Sequence, residues 1–167
     1  GPGAPSVPGA APTPGATPVP GGGPTAAAVR TATLEKSPRV SVTTPSLLGS
    51  IALTGSRIDD LTLRGYHEEL DTASPEIVLL SPAGSTHPYY AEFGWAANET
   101  GLELPGPDTR WQADRSELTP GSPVKMSWKN SQGLEFTRTI AIDRNYMFTV
   151  NQRVVNAGSK AVTLYPW

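Results

Sequence analysis

From Arg39 onward, apolar residues return at every second position in short runs. Val40 and Val42 alternate with polar neighbours in Arg39–Thr44, and Pro45 ends the run. Leu47–Thr54 follows, then a Gly55-Ser56 turn, then Arg57–Arg64 with apolar Ile58, Leu61 and Leu63. The side-chain phase slips at Asp59-Asp60, which predicts a β-bulge. Glu76–Leu80 is an apolar run between Pro75 and Pro82, and Tyr89–Trp95 is an aromatic one. Val124–Lys129 puts Val124, Met126 and Trp128 on one face. Leu134–Asp143 does the same with Leu134, Phe136, Ile140 and Ile142, and Asn130–Gly133 between the two runs reads as a hairpin loop. Two further turns lead into Tyr146–Val155 and Ala161–Tyr165. Period-2 alternation with turns at this spacing predicts an all-β fold, an antiparallel β-sandwich over residues 39–167.

Composition divides the chain at the same point. Residues 1–24 hold 8 Pro and 7 Gly, with no charged and no aromatic residue. Such a segment buries too little to offset its ordering entropy, so residues 1–38 read as a disordered Pro/Gly/Ala-rich tether. Within it, Ala26–Lys36 has the composition of a transient helical turn that Pro38 would stop. A flexible tether of this kind reaches roughly 30 Å. At the other end the alternation runs up to Trp167, which predicts a sandwich that continues past it.

The chemistry is sparse. The chain has no Cys, which excludes a disulfide framework, a Cys-ligated zinc and a thiol nucleophile. Its net charge of −2 argues against a nucleic-acid binder, which needs a basic face. No G-x-G-x-x-G, P-loop or H-E-x-x-H motif is present, so no cofactor or metal is expected. His67 and His87 stand alone in charged or turn-like contexts, and adjacent Asp59 and Asp60 would point to opposite faces of a regular strand. The candidate interaction residues are Tyr89, Phe93 and Trp95, which would share one face of a strand. They form either a stacking platform or a sandwich core. Arg138 joins them because it interrupts the apolar row of its strand. From sequence it either pairs with a carboxylate, lies at a sheet edge or marks a groove.

The linear order of these segments resembles a known family. A Pro/Gly tether leads into Val40-Ser41-Val42 and Pro45, then Leu53-Thr54-Gly55-Ser56-Arg57-Ile58-Asp59-Asp60-Leu61-Thr62-Leu63, then Tyr66 and Glu68. Ile77–Pro82, Tyr89–Trp95, Phe136-Thr137-Arg138 and Val154–Gly158 follow in order. This resembles the periplasmic domain of the bacterial membrane protein insertase YidC, alphaproteobacterial type, in its N-terminal part. Where that family usually has a Gly-Gly turn, this chain has Gly55-Ser56, a change expected to cost little because Ser is also a common turn residue. The resemblance implies a β-supersandwich, galactose-mutarotase-like in fold, without catalytic residues. It also implies an inner-membrane protein whose flanking helices lie outside this chain, with this part facing the periplasm. Its implied role is to help insert and fold inner-membrane proteins, alone or with the Sec translocon, with Sec components and nascent membrane proteins as partners. The alternative is a secreted or lipid-anchored carbohydrate-binding module stacking sugars on Tyr89, Phe93 and Trp95.

Overall fold

The computed structural model describes residues 23–167. Most of the expected tether therefore lies outside the described residues. Eleven strands and one helix are formed among the described residues. A five-stranded sheet runs in the order β4 (Glu76–Leu80), β3 (Arg57–His67), β2 (Leu47–Ala52), β1 (Arg39–Thr43), β7 (Glu117–Leu118). A second sheet runs β10 (Phe148–Asn156), β9 (Leu134–Ile142), β8 (Val124–Lys129), β6 (Gln112–Ala113), and β11 (Leu164–Pro166) pairs with β5 (Trp95–Ala97).

The two larger sheets share one apolar core, because each strand turns alternate side chains inward. Val40, Val42, Leu47, Ile51 and Ile58 come from the first sheet; Val124, Met126, Leu134, Phe136 and Ile140 come from the second. The expected all-β sandwich is thus what the chain forms. The Asn130–Gly133 hairpin joins β8 to β9 at the expected place, with Gly133 at φ 88°, where a left-handed turn favours glycine.

Three features depart from the sequence reading. Tyr89–Gly94 is not a strand: Tyr89 bridges to Ser81 and Ala91 to Ile58, so the segment changes partner and no ladder forms. Strand β7 pairs with β1 in parallel, which a simple antiparallel meander does not contain. Residues Ala26–Leu34, read as tether, form helix α1. Thr25 caps it by accepting a hydrogen bond from the Ala28 amide at 3.2 Å. No residue of α1 is buried. Polar contacts of Arg30 link it to the sheet: an ion pair with Asp60, and bonds donated to Ser81 Oγ (3.2 Å) and the Leu80 carbonyl (3.1 Å).

The phase slip at Asp59-Asp60 is a bulge, as expected. Ser50 pairs with Asp60 and Ile51 with Ile58, which leaves Asp59 as the extra residue. Opposite faces are expected only of a regular strand, and the inserted residue breaks that alternation. Asp59 pairs with Arg39, Arg39 Nε donates to Ser50 Oγ at 2.6 Å, and Ser50 Oγ donates to Asp60 at 2.6 Å, so both belong to one network. Burial raises the Asp59 carboxyl above its ordinary 3.8, outweighing the pull of Arg39.

Two outcomes follow from this bulge. A Cβ on Gly49 would lie 1.9 Å from the Asp60 carbonyl oxygen, so Gly49→Ala should cost at least ~2 kcal/mol in denaturant unfolding. Because folded Asp59 holds its proton more tightly than unfolded Asp59, its contribution to stability falls as pH rises above 3.8. The wild-type chain should therefore lose stability relative to Asp59→Asn over that rise. A relative gain would mean that the Arg39 pair outweighs burial.

Candidate functional site: an aromatic pocket over a buried arginine

The period-2 row of β9 places Leu134, Phe136, Arg138, Ile140 and Ile142 all facing the core, so an arginine occupies a position built for an apolar side chain. Arg138 is 1% exposed. Of the three possibilities open from sequence, it takes the groove without the carboxylate: among the described residues no acid pairs with it. It donates instead to neutral acceptors, the Ser56 carbonyl (3.0 Å), the Phe93 carbonyl (2.6 Å) and Gln152 Oε1 (3.1 Å), its cross-strand neighbour on β10. Its guanidinium carbon lies 5.0 Å from the Trp111 ring centre, 5.4 Å from that of Trp95 and 5.5 Å from that of Phe93. These π faces recover part of the lost hydration. Burial still lowers the arginine from its ordinary value to about 10, because the charged form is taken out of water.

The Gly55-Ser56 turn supplies the first of those acceptors. Gly55 has φ 75° and Ser56 φ 52°, both left-handed. A serine in that region carries strain of roughly 1 kcal/mol or more, so the substitution of Ser for Gly costs more than its turn propensity suggested. The Arg138 bond to the Ser56 carbonyl, and the fully buried hydroxyl 3.6 Å from Met126 Sδ, hold the residue there.

Above Arg138 lies a cavity of about 290 Å³. Trp111 and Arg138 border its floor, Phe93, Pro105, Pro107 and Trp167 its walls. At the rim Arg57 pairs with Glu92 and sits 5.5 Å over the Tyr90 ring. Trp167 is fixed through its backbone, with Gly94 N–H donating to its carbonyl at 2.9 Å and its own N–H donating back at 3.0 Å. Its indole lies so close to Gly94 that a Cβ there would sit 2.4 Å from Trp167 Cζ2.

The sequence candidates separate in this geometry. Phe93 and Arg138 meet at the cavity. Trp95 is buried, stacked on Trp111 (6.2 Å between centroids) and edge-on to Phe136 (5.0 Å). Tyr89 is 73% exposed and borders a different depression, beside α1 and β4. Tyr89, Phe93 and Trp95 share no face, because the strand that would have aligned them does not form. Trp111, Trp167, Arg57 and Glu92 are not among the sequence candidates, yet all four line this cavity with Pro105 and Pro107.

A sequence model described as YidC periplasmic domain matches residues 39–167. The chain belongs to the YidC periplasmic domain family. Among curated proteins, the membrane protein insertase YidC of Methylobacterium radiotolerans is 55% identical over 138 residues, covering 83% of this chain and 22% of that protein. That of Methylobacterium nodulans is 55% identical over 142 residues (85% and 23%), and that of Acidiphilium cryptum 47% over 137 residues (81% and 23%). The chain thus spans less than a quarter of the length of these YidC relatives. Its own described residues contain no helix long and apolar enough to cross a membrane. The family model's span starts at Arg39, where β1 starts, so α1 lies outside that model's span.

The pocket wall gives a direct check. Gly94→Ala should push the Trp167 indole off Gly94, with a stability loss of roughly 1–3 kcal/mol and a change in tryptophan emission that is absent in the same substitution made on Trp167→Phe.

Proposed function

We propose that this chain is the periplasmic part of an inner-membrane insertase, a non-catalytic domain that helps insert and fold inner-membrane proteins. The observation that carries this reading is the family match over the whole sandwich, residues 39–167, together with relatives named membrane protein insertase YidC. In this reading the domain binds and spaces. Its partners are nascent membrane proteins and components of the Sec translocon, and membrane attachment comes from segments flanking the residues given. Helix α1 is docked on the sandwich at the downstream end of the Pro/Gly/Ala-rich segment.

The surface chemistry is compatible with a binding role. His67 Nδ1 lies 2.7 Å from the Ser74 carbonyl at the far end of β3, and His87 borders the depression beside α1, so the two imidazoles share no site. Among the described residues no cluster of three His, Cys, Asp or Glu converges.

Because residues 1–167 contain no Cys, a thiol introduced among them reports the side of the membrane once any cysteines in the rest of the full-length protein are replaced. Leu70 is fully exposed, so Leu70→Cys in the full-length protein should react with a membrane-impermeant maleimide in intact spheroplasts. Labelling only after lysis would place the domain in the cytoplasm and end this reading.

A further inference from the structure

We propose that the cavity over Arg138 is a binding site for a carboxylate carried on a flat apolar body, the chemistry of an acidic or C-terminal group beside an aromatic residue in a polypeptide. Four observations carry it. The floor holds a cation with no carboxylate partner among the described residues, although the domain's other buried or half-buried arginines, Arg30, Arg39 and Arg57, each have one. Buried charges are normally paired, and an acceptor-only anion is the group that completes this one. Two of the residues that line the cavity carry a buried donor with no acceptor in the protein, Arg138 Nε and Trp111 Nε1. Such orphan N–H groups are rare in a folded core. The walls are aromatic and proline rings, which favour a flat apolar group over a hydrated one. The volume, about 290 Å³, suits one residue-sized group.

Access has a structural route. Both orphan atoms are closed off from solvent, so the carboxylate reaches them by displacing a wall. Trp167 is that wall: two backbone bonds fix its main chain to Gly94, and its indole packs against Gly94, so entry requires the indole to leave that contact. Carboxylate entry places a negative charge against Arg138 in a poorly hydrated site, where a charge-assisted bond is at its strongest. This assignment does not rest on the insertase reading; maleimide labelling and ligand binding fail or succeed separately.

The test is titration of the purified full chain with N-acetyl-L-phenylalanine, its amide, glucuronate and glucose, followed by the tryptophan indole N–H signals in NMR. Trp111→Phe identifies the Trp111 signal. The free acid should shift that signal in a saturable way. The amide, glucuronate and glucose should each bind at least tenfold more weakly. Equal binding of the amide would remove the carboxylate, equal binding of either sugar would remove the apolar body, and no saturable shift with the acid would end the proposal. Arg138→Met should abolish the response. Should that variant not fold, Gly94→Ala, which moves the Trp167 wall, should change the acid's affinity at least threefold, and an unchanged affinity would count against the site. Arg57→Gln at the rim should change it less than threefold.

Discussion

Arg138 ties to β9 two groups that no backbone ladder connects to that strand: the carbonyl of the Gly55-Ser56 turn and the carbonyl of Phe93. Each sits in a segment with little regular pairing of its own. One side chain therefore sets the distance between the turn of the first sheet, the irregular aromatic segment and the second sheet. An apolar residue of the same volume would fill the row in β9 but leave two buried carbonyls without donors, and orphaned acceptors are costly inside a protein. The arginine remains because the chain around it is irregular, and the irregular chain is what opens a cavity at this end of the sandwich.

The opposite electrostatic solution stands across β1, β2 and β3 of the first sheet. There Arg39, Ser50, Asp59, Asp60 and Arg30 form a continuous network of paired charges around the bulge. Compensated charges fix geometry in that region: the bulge keeps its extra residue because Asp59 has a cation to face. The uncompensated charge of Arg138 fixes geometry too, through neutral carbonyls, yet leaves electrostatic capacity unspent. The two regions use the same side-chain chemistry for different ends.

The sequence made the regular parts legible and the irregular parts opaque, for identifiable reasons. Nine residues of unbroken alternation made β9 readable and made Arg138 visible as the odd member of its row. Asn130–Gly133 announced its turn through Gly133, and the phase slip at Asp59-Asp60 announced the bulge. Tyr89–Gly94 misled because aromatic residues favour strands and loop walls alike. What decided its path was partner availability at Ser81 and Ile58, a tertiary property. Strands β6 and β7 hold two residues each, too few to alternate. Helix α1 was signalled locally by Thr25 before three alanines, but its persistence depends on Asp60, thirty residues away. The pocket had the weakest signal of all, since Gly55, Phe93, Pro107, Trp111 and Trp167 are neighbours only after folding.

The docking of α1 moves the point at which the upstream chain leaves the domain. Without the helix, that chain would depart from the start of β1, in the middle of the first sheet's edge order. With it, departure is from Thr25, beside Leu80 and Ser81 at the β4 margin. Tension applied along the leader is thus felt first by the side-chain grip of Arg30, not by any strand. The first hold the folded unit has on its amino-terminal segment is one side chain, Arg30, with the ladders of the sheet standing behind it.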